Sequence, residues 1–254
     1  MTRDWDAGSY DRVSTPQAAW AEAVLERLAL RGDETVLDAG CGSGRVTALL
    51  LERLPEGYVI AVDAAPAMVE HARAALPAER ATVLCASLTD LVLDEPVDAV
   101  FSNAVFHWIP DHQLLFRRLH ETLKPGGRLV AQCGGKGNVA TFLGLATDVA
   151  AESPYAEHLR GFSWSHHFES PEDTEVRLNA AGFDEIHCWL QAASTELDEP
   201  LEFARTVCLR EYLVMLPEEL REPFAAEVVR RSGAPLVLDY VRLNIDARRS
   251  FVSE

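Results

Sequence analysis

The chain has 254 residues, 48% of them hydrophobic and 25% charged, which suits a globular protein with one large core and insertions. Forty acidic against 23 basic residues leave a formal charge of −17, and no basic run exceeds two residues, so no nucleic-acid partner is expected. No apolar run approaches the roughly 18 residues of a membrane span, and Met1-Thr-Arg-Asp-Trp-Asp lacks the apolar stretch of a signal peptide, so a cytoplasmic location is expected.

An aromatic-bearing arm, Trp5-Asp-Ala-Gly-Ser-Tyr10, precedes a helix predicted from Gln17 to Leu30. A short strand at 35–38 runs into Asp38-Ala-Gly-Cys-Gly-Ser-Gly44, and a helix follows at 45–54. Glycines at 40, 42 and 44 carry no side chains, so a ligand can lie against backbone N–H groups at the start of that helix. A second strand at 58–62 ends at Asp63, 19 positions after Gly44 and suitably placed to accept hydrogen bonds from a ribose. The pairing points to a nucleoside-bearing cofactor. The loop is not the phosphate-cradling GxxxxGK[ST] and fits the dinucleotide GxGxxG only loosely.

Further on, Pro66 suits the first turn of a helix at 66–76. Strands are predicted at 81–85, 97–102 and 128–133, with a helix at 111–123 and a stop and turn at Lys124-Pro-Gly-Gly127. This alternation implies βαβ units and a parallel sheet. Strands at 183–190 and 237–246 remain, with a helical insert at 192–235 between them. The five scattered cysteines, without a CxxC, suggest reduced and mostly buried thiols. No cluster has metal-ligand spacing, so no metal is expected.

The glycine loop is similar to the cofactor site of class I S-adenosylmethionine-dependent methyltransferases, whose (D/E)xGxGxG pattern reads Asp38 to Gly44 here. Val97-Asp-Ala-Val-Phe-Ser-Asn-Ala104 resembles that family's fourth strand and following loop. Leu119 to Val130 resembles its helix, turn and fifth strand, and Ala180-Ala-Gly-Phe183 the entry to the sixth. The resemblance implies a Rossmann-like, doubly wound α/β fold: a seven-stranded sheet with its last strand antiparallel, and a helical cap from the N-terminal arm and two insertions. The boundaries then read as 1–30 arm and lid, 31–133 cofactor-binding core, 134–180 insertion, 181–191 and 236–254 closing strands, and 192–235 helical insert. S-adenosylmethionine is the implied cofactor, held by Asp38, Gly40, Cys41, Gly42, Gly44, Asp63, Ala64, Ser87, Leu88, Ser102 and Asn103. An acid usually follows the third strand to meet the adenine; here Ser87 stands there, with Asp90 as the alternative.

A methyl acceptor that is already ionised, such as a carboxylate, needs no general base, whereas a hydroxyl or amine does. His107, in Phe106-His-Trp-Ile109, is the one evident base candidate, and a histidine bonded to backbone at a helix start is its plain alternative. His166 and His167 read as lid or surface residues. Asn103 to Asp111, Leu209-Arg-Glu-Tyr-Leu213 and Arg242-Leu-Asn-Ile-Asp-Ala-Arg-Arg249 resemble small-carboxylate O-methyltransferases, the trans-aconitate methyltransferases above all. That resemblance implies that Gln17 and Trp108 hold the acceptor carboxylate. Arg210 then clamps a second carboxylate or is solvated, and Arg242 binds substrate or pairs with a structural acid. Thr206-Val-Cys208, bulkier than the glycine-bearing segment of those relatives, puts a tricarboxylate in question. Three other functions stay open: a hydroxyl or amine methyltransferase with His107 as base, a non-catalytic S-adenosylmethionine-binding protein, and a nicotinamide-dependent oxidoreductase. The expected partner is a small organic acid, and the chain is expected to be a monomer or homodimer.

Overall fold

The computed structural model describes residues 15–251. The expected arm from Trp5 to Tyr10 lies outside the described residues. The chain divides into two compact units. The first holds residues up to 136, 167–191 and 242 onward, and the second holds 137–166 and 192–241.

The first unit is built on a seven-stranded sheet. Its strands are β1 (Thr35–Ala39), β2 (Tyr58–Asp63), β3 (Ala81–Cys85), β4 (Val97–Asn103), β5 (Leu123–Gly134), β6 (Phe183–Ala192) and β9 (Val241–Arg249), in the order β3-β2-β1-β4-β5-β9-β6. The pairs from β3 to β5 are parallel, and β9 runs antiparallel to β5. Both faces are covered, so the central strands are nearly continuous apolar runs. In β1, Val36 faces a core with Leu25, Leu28, Leu50, Val59, Ala99 and Phe101. Its neighbour Leu37 faces the opposite core, with Val62, Val100, Phe106, Leu115, Phe116 and Leu119, as the two-residue strand period requires. Helix α1 (Thr15–Leu28) packs on β4 and β5. Helices α2 (Arg45–Glu52), α3 (Pro66–Ala75) and α4 (His112–Thr122) complete the βαβ alternation. Pro66 does open α3, and Asp111 caps α4 by accepting the N–H of Leu114 at 2.8 Å.

The expected turn at 124–127 lies inside β5. Leu123 pairs with Val97, the register shifts, and pairing resumes at Arg128 opposite Ala99. Gly126, at φ +76°, makes the bend. After β5 the chain leaves for the second unit and re-enters at His167, so α6 (Pro171–Ala180) belongs to the first unit, where it packs on α4.

The second unit contains α5 (Ala140–Ala150), a hairpin of β7 (Thr195–Glu196) with β8 (Val237–Leu238), and helices α7 (Pro200–Phe203), α8 (Arg210–Met215) and α9 (Glu218–Arg231). Two sequence expectations are corrected here. The strand predicted over 237–246 is two strands. Asp239 turns away to accept the N–H and hydroxyl of Thr141, and Asn138 accepts the N–H of Val241 at 3.0 Å. Leu201, Ala204, Cys208, Tyr212 and Met215 fall at helical spacing and predict one buried stripe within the 192–235 insert, but the helix there is interrupted by a π turn at Ala204–Cys208. Ala204, Cys208 and Tyr212 are buried, while Met215, at the end of α8, is 48% exposed. Tyr212 stacks on Phe162 at 4.0 Å between ring centroids, and its edge meets Trp164 and Phe224.

Candidate active site

Open α/β sheets bind ligands beyond the carboxyl ends of their strands, and the first unit gathers its polar residues there. Gly40, Gly42 and Gly44 all adopt positive φ, at +94°, +55° and +87°. The reasons differ. A Cβ on Gly40 would sit 2.2 Å from Val105 Cγ2, so this glycine lets the β4 loop close over β1. A Cβ on Gly44 would press on Ala72 at 3.2 Å. A Cβ on Gly42 would meet nothing within 4 Å, and this is the position that faces open space.

The loop's amides overturn one expectation. Gly40 and Cys41 N–H both donate to the carbonyl of Val62, Gly44 N–H donates to Cys41, and Gly42 N–H donates to Asp63 at 3.0 Å. These donors are spent inside the fold, because the turn must be held against β2 to keep its left-handed conformation. The glycines therefore supply a bare, flat bed instead of an anion cradle. A pyrophosphate would need those N–H groups, whereas a nucleoside without phosphate does not, and the nicotinamide alternative loses its footing.

Asp63 ends β2 and accepts the N–H groups of Gly42 and, at 2.8 Å, Ala65. Burial pushes its carboxyl up, and the amides of Ala65, Gly42 and Ala64 oppose that shift. Three amides leave the carboxylate with remaining acceptor capacity. Asp38 is fully buried, and desolvation pushes it up to about 7 even though the hydroxyl of Thr47 donates to it at 2.6 Å. Ser102, also buried, donates to the Ala39 carbonyl at 2.6 Å and ties β4 to β1. Asn103 ends β4 in register with Gln132. The Cys41 thiol is buried and its pKa is raised by desolvation and by Asp38 and Asp63, so it stays protonated and inert. Beyond β3, Ser87 shares a hydrogen bond with Thr89 at 2.8 Å, Leu88 is buried, and Asp90 is exposed. A bare bed open at Gly42, with a carboxylate at the end of β2, fits the adenosine of S-adenosylmethionine.

After β4 the chain turns through Phe106–Trp108, a single 3-10 turn. His107 is buried there; its Nδ1 accepts the N–H of Gly134 at 3.2 Å, and its carbonyl accepts that of His167 at 2.8 Å. Its ring lies 5.0 Å from that of Trp108. His167 thus acts through its backbone in the first unit. Gln17 lies in α1 with its side chain outside the described residues.

Arg242, in β9 opposite Gly134, is 3% exposed. The sequence left a ligand or a structural acid as its partner. Arg242 Nε donates to an amide oxygen, Gln132 Oε1, at 3.3 Å, and the guanidinium lies over the indole face of Trp20 at 4.6 Å. Asn244, two residues on, accepts from Gln132 and Arg27, and Arg27 also reaches Asp246 and the Ala131 carbonyl. This buried polar ladder between α1 and the sheet was missed in the sequence, although the alternation Arg242, Asn244, Asp246 against Leu243, Ile245, Ala247 was visible there. Arg210 lies in the second unit, lining an open groove of about 640 Å³ with Arg205, Arg221, Thr206 and Leu213. Among the described residues no group of acids, histidines or cysteines could hold a metal ion, and no helix is long and apolar enough to cross a membrane.

Comparison with known proteins adds a second line. Residues 37–131 match the family model described as a methyltransferase domain. A trans-aconitate 2-methyltransferase of Methylobacterium nodulans is 32% identical, over 97% of this chain and 99% of that relative. Another from Variovorax paradoxus is 30% identical, over 99% and 98%. Among solved structures, the YcgJ protein from Bacillus subtilis shares the fold with a TM-score of 0.64 at 17% identity, covering 91% of this chain and 97% of that one. A Haemonchus contortus phosphoethanolamine N-methyltransferase, solved with S-adenosylhomocysteine, gives 0.62 at 18% identity, over 96% of this chain and 56% of that one.

Proposed function

The chain belongs to the trans-aconitate 2-methyltransferase family, and from that premise we propose that it transfers a methyl group from S-adenosylmethionine to a carboxylate oxygen of a small organic acid. Gly40, Gly42, Gly44 and Asp63 hold the adenosine, and Asp38, Ser102 and Asn103 flank the amino-acid end. Bound there, S-adenosylmethionine supplies an electrophilic methyl on a sulfonium. The protein's own task is to bind the acceptor, align one oxygen and exclude water.

The observation that carries the reading is the hydrogen bond from Gly134 N–H to His107 Nδ1, at 3.2 Å. A nitrogen that accepts an N–H has its lone pair engaged, so neutral imidazole carries its proton on Nε2. His107 is then a donor with no lone pair left for a proton. A carboxylate acceptor is ionised at neutral pH and asks only for donors that orient it. His107 Nε2–H, the indole of Trp108 and the amide of Gln17 are the assigned donors, and all are neutral, so they leave the oxygen nucleophilic. Arg242, in the same unit, stays an assigned substrate-side cation. A hydroxyl or amine acceptor would require His107 Nδ1 to be released from Gly134.

The pH–rate profile with trans-aconitate tests this. At saturating S-adenosylmethionine the rate should follow only the acceptor's own carboxyl ionisation, and His107→Ala should leave that profile's shape unchanged. A limb that disappears in His107→Ala contradicts the proposal and returns His107 to the role of base.

A further inference from the structure

His112 opens helix α4 and is 3% exposed, yet neither the cofactor bed nor the assigned acceptor contacts use it. Its Nε2 lies 2.8 Å from the carbonyl oxygen of Phe106, the first residue of the 3-10 turn. A carbonyl oxygen can only accept, so Nε2 carries the proton. Nδ1 is buried and has no hydrogen-bond partner among the described residues. Protonation would therefore place a second, unmatched N–H in the core, and burial lowers the imidazole's pKa accordingly. The ring packs edge-on against Phe116 at 5.8 Å, and Phe116 packs edge-on against Phe106 at 5.9 Å. Phe106 is itself fully buried.

The turn is thus held at three points. His112 donates to Phe106 O on one side, sharing that oxygen with the N–H of Ile109. Gly134 N–H and His167 N–H hold the ring and the carbonyl of His107 on the other. A 3-10 turn of three residues has weak internal hydrogen bonding, so external pins decide where its side chains point. We propose that His112 is a positioning residue for methyl transfer: its Nε2–H fixes the Phe106 carbonyl and, through it, the His107 and Trp108 side chains that orient the acceptor. This rests on the acceptor reading above.

The test uses the full chain, S-adenosylmethionine and trans-aconitate. His112→Phe keeps the ring volume without the donor, His112→Gln carries an amide N–H to the Nε2 position, and His112→Asn carries one that falls short. His112→Phe and His112→Asn should raise the acceptor KM by about tenfold, the loss of one oriented hydrogen bond. Both should leave the S-adenosylmethionine Kd unchanged, and His112→Gln should restore KM to within about twofold of the parent. A second readout needs no acceptor. Nitrogen-15 spectra of the His107 ring should show the Nε2–H tautomer in the parent and in His112→Gln, and a tautomer mixture in His112→Phe and His112→Asn. If the parent does not methylate trans-aconitate, the acceptor reading fails, while the tautomer measurement still decides the role of His112. A parental KM and tautomer in His112→Phe overturn the proposal. So does a rise in cofactor Kd equal to that in KM, or a failure of His112→Gln to differ from His112→Phe.

Discussion

Asp63 accepts the amide of Gly42 at 3.0 Å, and this bond joins the glycine turn to the end of β2 across 21 positions of chain. One carboxylate pins the glycine turn, and the same group is the one proposed to meet the ribose. Its removal acts twice, since Gly42 and Ala65 each lose an acceptor. Asp63→Ala should weaken S-adenosylmethionine binding by about 1–3 kcal/mol, measured by calorimetric titration. Unchanged affinity would contradict the ribose assignment.

Neighbouring glycines should respond differently to the same substitution. Gly40→Ala drives a methyl to within 2.2 Å of Val105 at a φ of +94°. Overpacking together with a left-handed backbone should cost about 2–4 kcal/mol of stability, read by chemical denaturation. Gly42→Ala meets no protein atom within 4 Å, so only about 1 kcal/mol of backbone strain is expected. Its methyl enters the space assigned to the cofactor, and calorimetry should show cofactor affinity falling at least tenfold. Equal stability losses in the two variants would refute the division of roles.

Asp38 and Thr47 give a pH prediction. Burial pushes the native carboxyl up from its ordinary value of 3.8 to about 7, so between these pH values the folded chain keeps a proton that the unfolded chain has released. This group costs no stability below its unfolded pKa, a growing amount as pH rises from about 4, and its full cost above about 7. A cationic cofactor favours the ionised form, so S-adenosylmethionine should bind more tightly as pH rises through 7 and release a proton on binding. Thr47→Val removes the hydrogen bond that holds the carboxyl down and should move that inflection upward. Asp38→Asn should abolish it. Calorimetry in buffers of different ionisation enthalpy reads both effects, and a pH-independent affinity in the parent would refute the account.

Much of this was legible in the sequence because its determinants are local. Alternating glycines after a short apolar run, Pro66 at a helix start and Asp111 before α4 act on their own neighbours, and those elements lie where expected to within a residue or two. The misses depend on distant partners. The strand over 237–246 breaks because Asp239 caps Thr141 and Asn138 holds Val241, about a hundred positions away. The helix expected through Leu201 to Met215 is interrupted by a π turn at Ala204–Cys208, and no residue type marks that turn. The role of His112 depends on a backbone oxygen, which no side-chain pattern announces. The glycine amides were misjudged for a related reason, since their acceptor is the carbonyl of Val62 in the next strand.

The polar ladder under α1 is a prediction in itself. Arg27 makes three hydrogen bonds, to Asp246, Asn244 and Ala131, and its guanidinium lies 5.0 Å from the Trp189 ring. Arg27→Met leaves partly buried acceptors without that donor and should cost about 1–3 kcal/mol, read by urea denaturation. Cofactor affinity should be unchanged, because none of these atoms belongs to the glycine bed. A loss of cofactor binding without a loss of stability would show that the ladder serves the site directly.

The central claim is that a sulfonium methyl passes to an ionised oxygen held by neutral donors. Incubating the purified chain with S-adenosylmethionine and trans-aconitate, and identifying the product by mass and by cleavage in mild base, tests it most directly. One equivalent of S-adenosylhomocysteine should form with each base-labile monomethyl ester, in the parent and, with a raised KM, in His107→Ala. Turnover confined to hydroxyl or amine acceptors, yielding a base-stable product and vanishing in His107→Ala, would contradict it.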